Sequence, residues 1–437
     1  MTSERGRGPA FSPAGDTRLE GPLQSATLIV AMPIEGRAFR FSLSPFPFLL
    51  PHMFSSRTKW DLTPNRFSAA LNAHRAAGRE LLDLTESNPT RCGFGYDPHL
   101  LASLTHPAGL EYQPDPRGLP SAREAVACYY AERGTTIAPE DIILTASTSE
   151  AYAYAFRLLC NHGDEVLVPA PSYPLFGFLA SLQDLSLVPY RLFYDHGWHV
   201  DLHSLTSAIT ARCRAVIVVH PNNPTGSFLH PEETKALGTL CAERSLALVS
   251  DEVFLDYPHD GASRPSFAAG HSALTFTLSG LSKIAALPQM KLAWLVVRGP
   301  PEIKVAALQR LEIIADTYLS VNSSVQHALP QFLAGRHAIQ KQICSRLVEN
   351  LTELARQLAP QTSCQRLDME GGWYAVLRVP VRRPDEELAI ALLEEQGVLV
   401  HPGHFYDFPS DGYLVLSLIP PRDIFSEGLR RLFDFLS

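Results

Sequence analysis

The chain has no apolar stretch long enough to cross a bilayer. A transmembrane helix needs about 20 consecutive apolar residues. The nearest candidates, at 26–32 and 46–50, fall far short, and the second is interrupted by Pro47. A dense basic stripe is also missing. Lys and Arg total 37 against 45 Asp and Glu, a net charge of −8, which excludes the electrostatic footprint of a nucleic-acid-binding protein. Cysteine is sparse and scattered: the seven residues, at 92, 128, 160, 213, 241, 344 and 364, form no CxxC pair. An odd number at wide spacing argues against a disulfide framework or a zinc site, so no metal is expected. It fits reduced thiols in a cytoplasmic protein. Internal repeats and heptads are absent. Apolar residues, in contrast, make up 46% of the 437 positions, ample for a large core and more than a single domain usually needs.

Residues 1–53 are rich in Gly, Pro, Ser and Arg and hold no sustained period. They read as a disordered tail, or as a stretch ahead of a true start at Met53. Arg5 and Arg7 before a weak apolar patch loosely resemble a secretory signal, but Glu20 and Pro22 lie just ahead of the patch and no clean cleavage site follows. Helical spacing then covers 65–78 and ends at Gly78. A strand is expected over 81–85, leading into Glu86-Ser-Asn-Pro-Thr90. From 100 to 300, short Val, Ile and Leu runs (142–145, 165–168, 215–219, 247–250, 274–278, 292–297) alternate with helical patterns (121–133, 149–159, 231–243, 302–310). Strands that are apolar without alternation need helices on both faces. The expected fold class is therefore α/β, with a mostly parallel mixed sheet between helices in a large domain over 100–335. Helices at 337–357 and 384–396, strands at 371–379, 398–401 and 413–418, and a closing helix indicate a smaller α+β domain over 336–437, which 54–99 is expected to join.

The most informative segment is Leu278-Ser-Gly-Leu-Ser-Lys-Ile-Ala-Ala-Leu-Pro-Gln-Met-Lys-Leu-Ala-Trp294. Lys283 follows an apolar run and small residues, and Lys291 stands eight positions later. The pattern suits an amine that forms an imine with an aldehyde, next to a charge that holds a phosphate; two lysines flanking a loop between buried strands would read the same way. Five further pieces share the chain with it. Thr145-Ala-Ser-Thr-Ser-Glu150 follows a strand and opens a helix. Ser147 and Glu150 have capping-box spacing, leaving the Thr148 and Ser149 amides for an anion or simply for an ordinary cap. Tyr173, in Ala170-Pro-Ser-Tyr-Pro174, could lie on a planar ring or merely pack. His220-Pro-Asn-Asn-Pro-Thr-Gly226 sets a tight loop at the carboxyl end of a strand, the usual ligand edge of an α/β sheet, with Asn223 able to donate. Asp251, in Ser250-Asp-Glu-Val-Phe254, is a carboxylate at an apolar strand end. It must find a cation or shift its pKa, unless it serves as a helix cap. Tyr112, ahead of Pro116-Arg-Gly118, says nothing alone.

Together these pieces resemble the fold-type I pyridoxal-phosphate-dependent aminotransferases of class I/II, over about 54–437. The resemblance implies a homodimer using pyridoxal 5′-phosphate to transfer an amino group between an amino acid and a 2-oxo acid in a ping-pong cycle. It implies that Lys283 holds the cofactor as an imine and is the catalytic residue, Asp251 pairs with the ring nitrogen, Asn223 meets the ring hydroxyl and Tyr173 stacks on the ring. Thr148, Ser149, Ser282 and Lys291 would surround the phosphate, and Tyr112 would reach the phosphate of the neighbouring subunit. Other reactions of the same imine, such as β-elimination from a sulfur amino acid or decarboxylation, are alternatives, as is a noncatalytic sensor.

Several positions depart from the family pattern. Lys291 stands where an arginine is usual, Gly280 where a serine is frequent, and Phe254 where a tyrosine is frequent, leaving a bond to the ring hydroxyl unfilled unless Tyr257 substitutes. The arginine that usually clamps the substrate carboxylate is replaced by Val415 in Gly412-Tyr-Leu-Val-Leu-Ser-Leu418. A bidentate fork provides both charge and orientation, which valine cannot. Either another cation takes over, with a relocated arginine at Arg91 or Arg422 the expected substitute, or the substrate is not a standard α-amino acid. Finally, His199-Val-Asp-Leu-His203 would put three ligand types on one strand face; with no further ligand cluster in support, it reads as a linker between strands.

Overall fold

The computed structural model describes residues 53–319 and 321–437, so the expected tail lies outside the described residues except for Met53. Eight strands build the central sheet: β1 (Ile142–Thr145), β2 (Glu165–Ala170), β3 (Ser186–Tyr194), β4 (Trp198–Val200), β5 (Cys213–Val219), β6 (Ala247–Asp251), β7 (Thr275–Gly280) and β8 (Ala293–Arg298). Their spatial order is β1-β8-β7-β6-β5-β2-β3-β4. Strands β7, β6, β5, β2 and β3 are mutually parallel, while β8 runs antiparallel to both its neighbours and β4 antiparallel to β3. The fold class expected from the sequence is the one observed.

The continuous apolar runs have their cause in this arrangement. Strands β6 and β7 are buried at every residue. Ile217, Val249, Phe276 and Leu295 pack with helices Thr148–Leu159 and Pro301–Tyr318 on one face. The alternate residues Val216, Val218 and Leu248 pack against Leu237 and Cys241 of helix Pro231–Glu243 on the other. Both sets must be apolar because successive side chains point to opposite faces.

A second sheet, of four antiparallel strands, runs in the order Gln365–Arg366, Tyr374–Arg378, Tyr413–Ser417, His401–Pro402. Near it, the two-residue strand Leu82–Asp83 pairs in parallel with Val398–Leu399, so an early segment of the chain is stitched to a late one. A 36-residue helix, Ser323–Leu358, carries the chain between the two sheets. Its first half places Leu329, Phe332 and Leu333 in a core against the large sheet, and its second half places Ile343, Leu347 and Leu354 in the core of the small one.

Where the sequence reading and the structure differ, packing explains the difference. The long helix was expected from 337, after Pro330, and begins instead at Ser323. An interior proline costs about 3 kcal/mol. Burying three large side chains at about 1.5–3 kcal/mol each outweighs that. Residue 335, the expected end of the large domain, therefore falls within a continuous helix. The β3–β4 hairpin was not anticipated. It sits at the sheet edge, is only partly buried and contains Pro189, all of which mask a strand pattern. Nor is 199–203 a linker: His199 lies in β4, while Asp201 caps helix Leu202–Ala208 by accepting the Ser204 amide at 2.9 Å.

The two sheets meet at Gly226. Its carbonyl accepts the amides of Glu370 at 3.0 Å and Gly371 at 2.9 Å. Its φ is +70°, and a Cβ there would lie 2.5 Å from the Gly371 carbonyl oxygen. Glycine is required on both grounds. Gly226→Ala is expected to lower stability by at least about 1 kcal/mol, read as a reduced urea midpoint.

Candidate active site

The parallel strands deliver their chemistry to one edge. Helix Thr148–Leu159 begins three residues after β1 ends, Tyr173 follows β2, Asn223 follows β5, Asp251 ends β6 and Lys283 follows β7. All face a chamber of about 670 Å³, closed on its other side by residues of the second sheet and its loops. Of the residues singled out in the sequence, Thr148, Ser149, Tyr173, Asn223, Asp251, Ser282, Lys283 and Lys291 line this chamber. Tyr112, Arg91 and Arg422 do not. Tyr112 is 72% exposed. Arg91 ends the short helix Pro89–Arg91 with its guanidinium 3.9 Å from Glu86. Arg422 opens the closing helix on the exposed surface.

Asp251 is buried and has only neutral partners: the Tyr152 hydroxyl donates to Oδ2 at 3.2 Å and the Val253 amide to Oδ1 at 3.1 Å. Burial outweighs these bonds and raises its pKa to about 6. A cation entering the chamber would hold this carboxylate ionised. Asn223 is buried there as well, with its Oδ1 unpartnered. An unsatisfied amide and an unpaired carboxylate on one wall fit a heterocycle that offers a hydroxyl and a protonated nitrogen.

Lys283 lies in the one-turn helix Leu281–Ile284. Its Nζ lies 4.9 Å from the Trp373 ring centroid and 5.5 Å from that of Phe254. Burial lowers its pKa to about 8, opposed by the fields of Cys92, Asp251 and Glu86. The backbone beneath it is fixed from behind, because the Tyr257 hydroxyl donates to the Lys283 carbonyl at 2.6 Å. That bond occupies Tyr257, so it does not fill the place left by Phe254, which lines the chamber as an aromatic wall.

At the opposite pole stands the start of helix Thr148–Leu159. Ser147 Oγ accepts the Glu150 amide at 3.2 Å, and Glu150 Oε2 accepts the Ala146 amide at 2.6 Å. The reciprocal cap leaves the Thr148 and Ser149 amides directed out of the helix end, where the dipole favours an anion. Ser282 and Lys291 line the same chamber. Lys291 is held in the left-handed conformation, φ +50°, a strained state for a residue with a Cβ. Gly280 belongs to this region for packing reasons: a Cβ there would lie 2.7 Å from that of Ala293. A serine at this position has no room.

The second sheet contributes residues that sequence reasoning missed, namely Tyr374, His401, Phe405 and Tyr406. They lie in segments read as a strand, a strand and a loop, and nothing in a single sequence indicates which of their side chains turn toward a cavity.

Residues 105–419 match the family described as "Aminotransferase class I and II". The chain is 30% identical over 373 residues to glutamate-pyruvate aminotransferase AlaA of Escherichia coli strain K12, covering 82% of this chain and 91% of that protein. It is 29% identical over 374 residues to alanine aminotransferase of Mycobacterium tuberculosis strain H37Rv, covering 83% and 86%. Among solved structures, an aminotransferase from Escherichia coli superposes with a TM-score of 0.78 at 26% identity, covering 88% of this chain and 98% of that one. Alanine aminotransferase from Pyrococcus furiosus superposes at 0.81 with 24% identity, covering 88% and 99%. The chain belongs to the class I and II aminotransferases. It is an enzyme of amino-group transfer, in a family that works with pyridoxal phosphate.

The lowered pKa of Lys283 has a direct consequence. Burial disfavours the ammonium, so the nucleophilic amine becomes the major form above about pH 8 rather than above 10.5. In cofactor-free protein, modification of Lys283 by trinitrobenzenesulfonate, followed by peptide mapping, is expected to reach half its maximal rate near pH 8. Surface lysines should reach theirs at higher pH.

Proposed function

We propose that the enzyme binds pyridoxal 5′-phosphate in this chamber and transfers the amino group of an amino acid to a 2-oxo acid by a ping-pong route. The observation that carries the reading is Asp251, a buried carboxylate facing the chamber that among the described residues bonds only to the Tyr152 hydroxyl and the Val253 amide, with Lys283 acting on it through its field alone. The named functions of its relatives, glutamate–pyruvate and alanine aminotransfer, make alanine and glutamate the first donors to try, with pyruvate and 2-oxoglutarate as acceptors.

When bound, the cofactor supplies an aldehyde for amine exchange and an electron-withdrawing cationic ring. The rest of the work falls to the protein. Asp251 keeps a proton on the ring nitrogen, and the Tyr152 hydroxyl holds that carboxylate in line. The Thr148 and Ser149 amides, the Ser282 hydroxyl and the Lys291 ammonium anchor the phosphate. Lys291 does so as a point charge, without the paired donors of a guanidinium. Asn223 would meet the ring hydroxyl, and Tyr173 would cover the ring face and exclude water. Lys283 would hold the cofactor's aldehyde carbon through its amine, and, once free, that amine would be the base that takes the proton from the substrate Cα and gives it back to that carbon. The aromatic setting of Trp373 and Phe254 favours the neutral amine that this step requires.

The exposed position of Tyr112 supports a role across a subunit boundary, with the enzyme working as a homodimer. The seven free cysteines support a reducing, cytoplasmic setting. Residues 54–99 and 336–437 would together form the domain that closes over the substrate.

Protein purified with added pyridoxal phosphate should absorb in the visible range, bleach with an amino donor and recover with a 2-oxo acid. Lys283→Ala is expected to lower turnover by at least about 10²-fold, the lower range for a general acid–base group. Persistent visible absorbance unchanged by every amino acid would refute the transfer reading. Release of ammonia with pyruvate from cysteine or serine would redirect it to elimination. Mixing inactive Lys283→Ala with weakened Tyr112→Phe protein should raise activity above the sum of the two, because hybrid dimers rebuild one intact site; no gain would exclude Tyr112 from the partner's site.

A further inference from the structure

On the proposed reading, a substrate amino acid brings a carboxylate into a chamber whose described lining contains no arginine. Enclosing that charge costs several kcal/mol unless donors meet it. The two lysines are already engaged, Lys291 at the phosphate pole and Lys283 in the transfer itself. Donors for the carboxylate are then the neutral polar groups of the lining: Ser87, Asn88, Thr90 and Gln289, and, on the wall built by the second sheet and its loops, Tyr374, His401 and Tyr406.

That sheet fixes what the wall offers. Strand His401–Pro402 pairs with Tyr413–Ser417 so that His401 lies directly opposite Val415. Val415 is 0% exposed and packs in an apolar cluster with Tyr406 and Leu367. His401 is buried yet lines the chamber, and its Nδ1 lies 2.9 Å from the Tyr406 hydroxyl. It makes no other hydrogen bond or ion pair among the described residues. When Tyr406 donates to Nδ1, the imidazole carries its proton on Nε2 and presents an N–H with no protein acceptor. The neighbouring wall residues, Tyr374 and Phe405, supply an aromatic surface and no charge.

Resting on the proposed aminotransfer, we infer that His401 binds the substrate carboxylate through Nε2–H and that Tyr406 fixes the tautomer and ring orientation for this bond. His401 takes the task expected of a relocated arginine. Burial lowers its pKa to about 4, so the donor is a neutral imidazole at ordinary pH. It orients one carboxylate oxygen by a single bond, where a guanidinium would grip two.

The test compares two ligands of matching shape, 3-phenylpropionate and 3-phenylpropanamide, as inhibitors of amino-donor bleaching in the cofactor-loaded protein. Wild type should prefer the acid. In His401→Phe the acid-over-amide preference is expected to fall roughly tenfold or more, the loss of a hydrogen bond to a charged group. His401→Asn, which retains a donor, should keep part of it, and Arg91→Ala should keep all of it. A purely structural role for His401 would weaken both inhibitors alike and leave the ratio in place. An unchanged ratio in both His401 variants, or a collapse in Arg91→Ala instead, would overturn the assignment. If His401→Phe fails to load cofactor, His401→Asn alone decides, by the direction of the ratio. Wild-type protein that no amino acid bleaches would overturn the aminotransfer reading and the His401 role with it. Normal bleaching with an unmoved ratio would overturn only the latter.

Discussion

A buried carboxylate that forms no ion pair among the described residues is a costly arrangement, and the site is organised around one. Asp251 lies at the carboxyl end of a strand buried along its full length, reached only by a tyrosine hydroxyl and a backbone amide. Replacing it with an apolar residue would suit the folded chain better, so its presence points to a charge that comes from outside the polypeptide. Around that point, the segments that follow β1, β2, β5 and β7 add further polar or aromatic groups to the same chamber. The same edge presents an amine whose proton is loosened by burial and, at the far pole, a helix start with amides open to an anion.

The order of these groups follows from topology. Parallel strands bring all their carboxyl ends to one side, and the loops leaving that side inherit the chemistry. The antiparallel β8 does not disturb this. It carries the chain back across the sheet from the turn that holds Lys291, which leaves both Lys283 and Lys291 on the lining of the chamber. The strained backbone at Lys291 is localised at the turn that makes this return.

Much of this organisation was legible in the sequence because the responsible patterns are local. Strands β1, β5, β6 and β7 appear as uninterrupted apolar runs, and each is followed within a few residues by a polar motif. Lys283, Asp251 and Asn223 are readable for that reason, as is the serine-rich helix start. The reading weakened wherever long-range packing decides. Pro330 is a helix breaker on local grounds and is overruled by the core on both sides of it. The β3–β4 hairpin is an edge element without a buried period. His401, Tyr374 and Tyr406 come from a different sheet, and only the assembled chain shows that they face the same space as Lys283. Arg91 and Arg422 were attractive as cations near suitable sequence positions, but charge count carries no information about direction: one stands beside Glu86 and the other on the surface.

The contact at Gly226 has a consequence for how the molecule responds to its ligand. Only Pro224 and Thr225 lie between Asn223 and Gly226, whose carbonyl fastens Glu370 and Gly371. A displacement of the second sheet is thus transmitted through a very short length of backbone to the group that reads the ring, with no intervening flexible segment to absorb it. On the proposed reading, the seat of the second sheet on Gly226 and the position of Asn223 are set by one short loop, so substitutions near 370 should alter the spectrum of a chromophore they never touch.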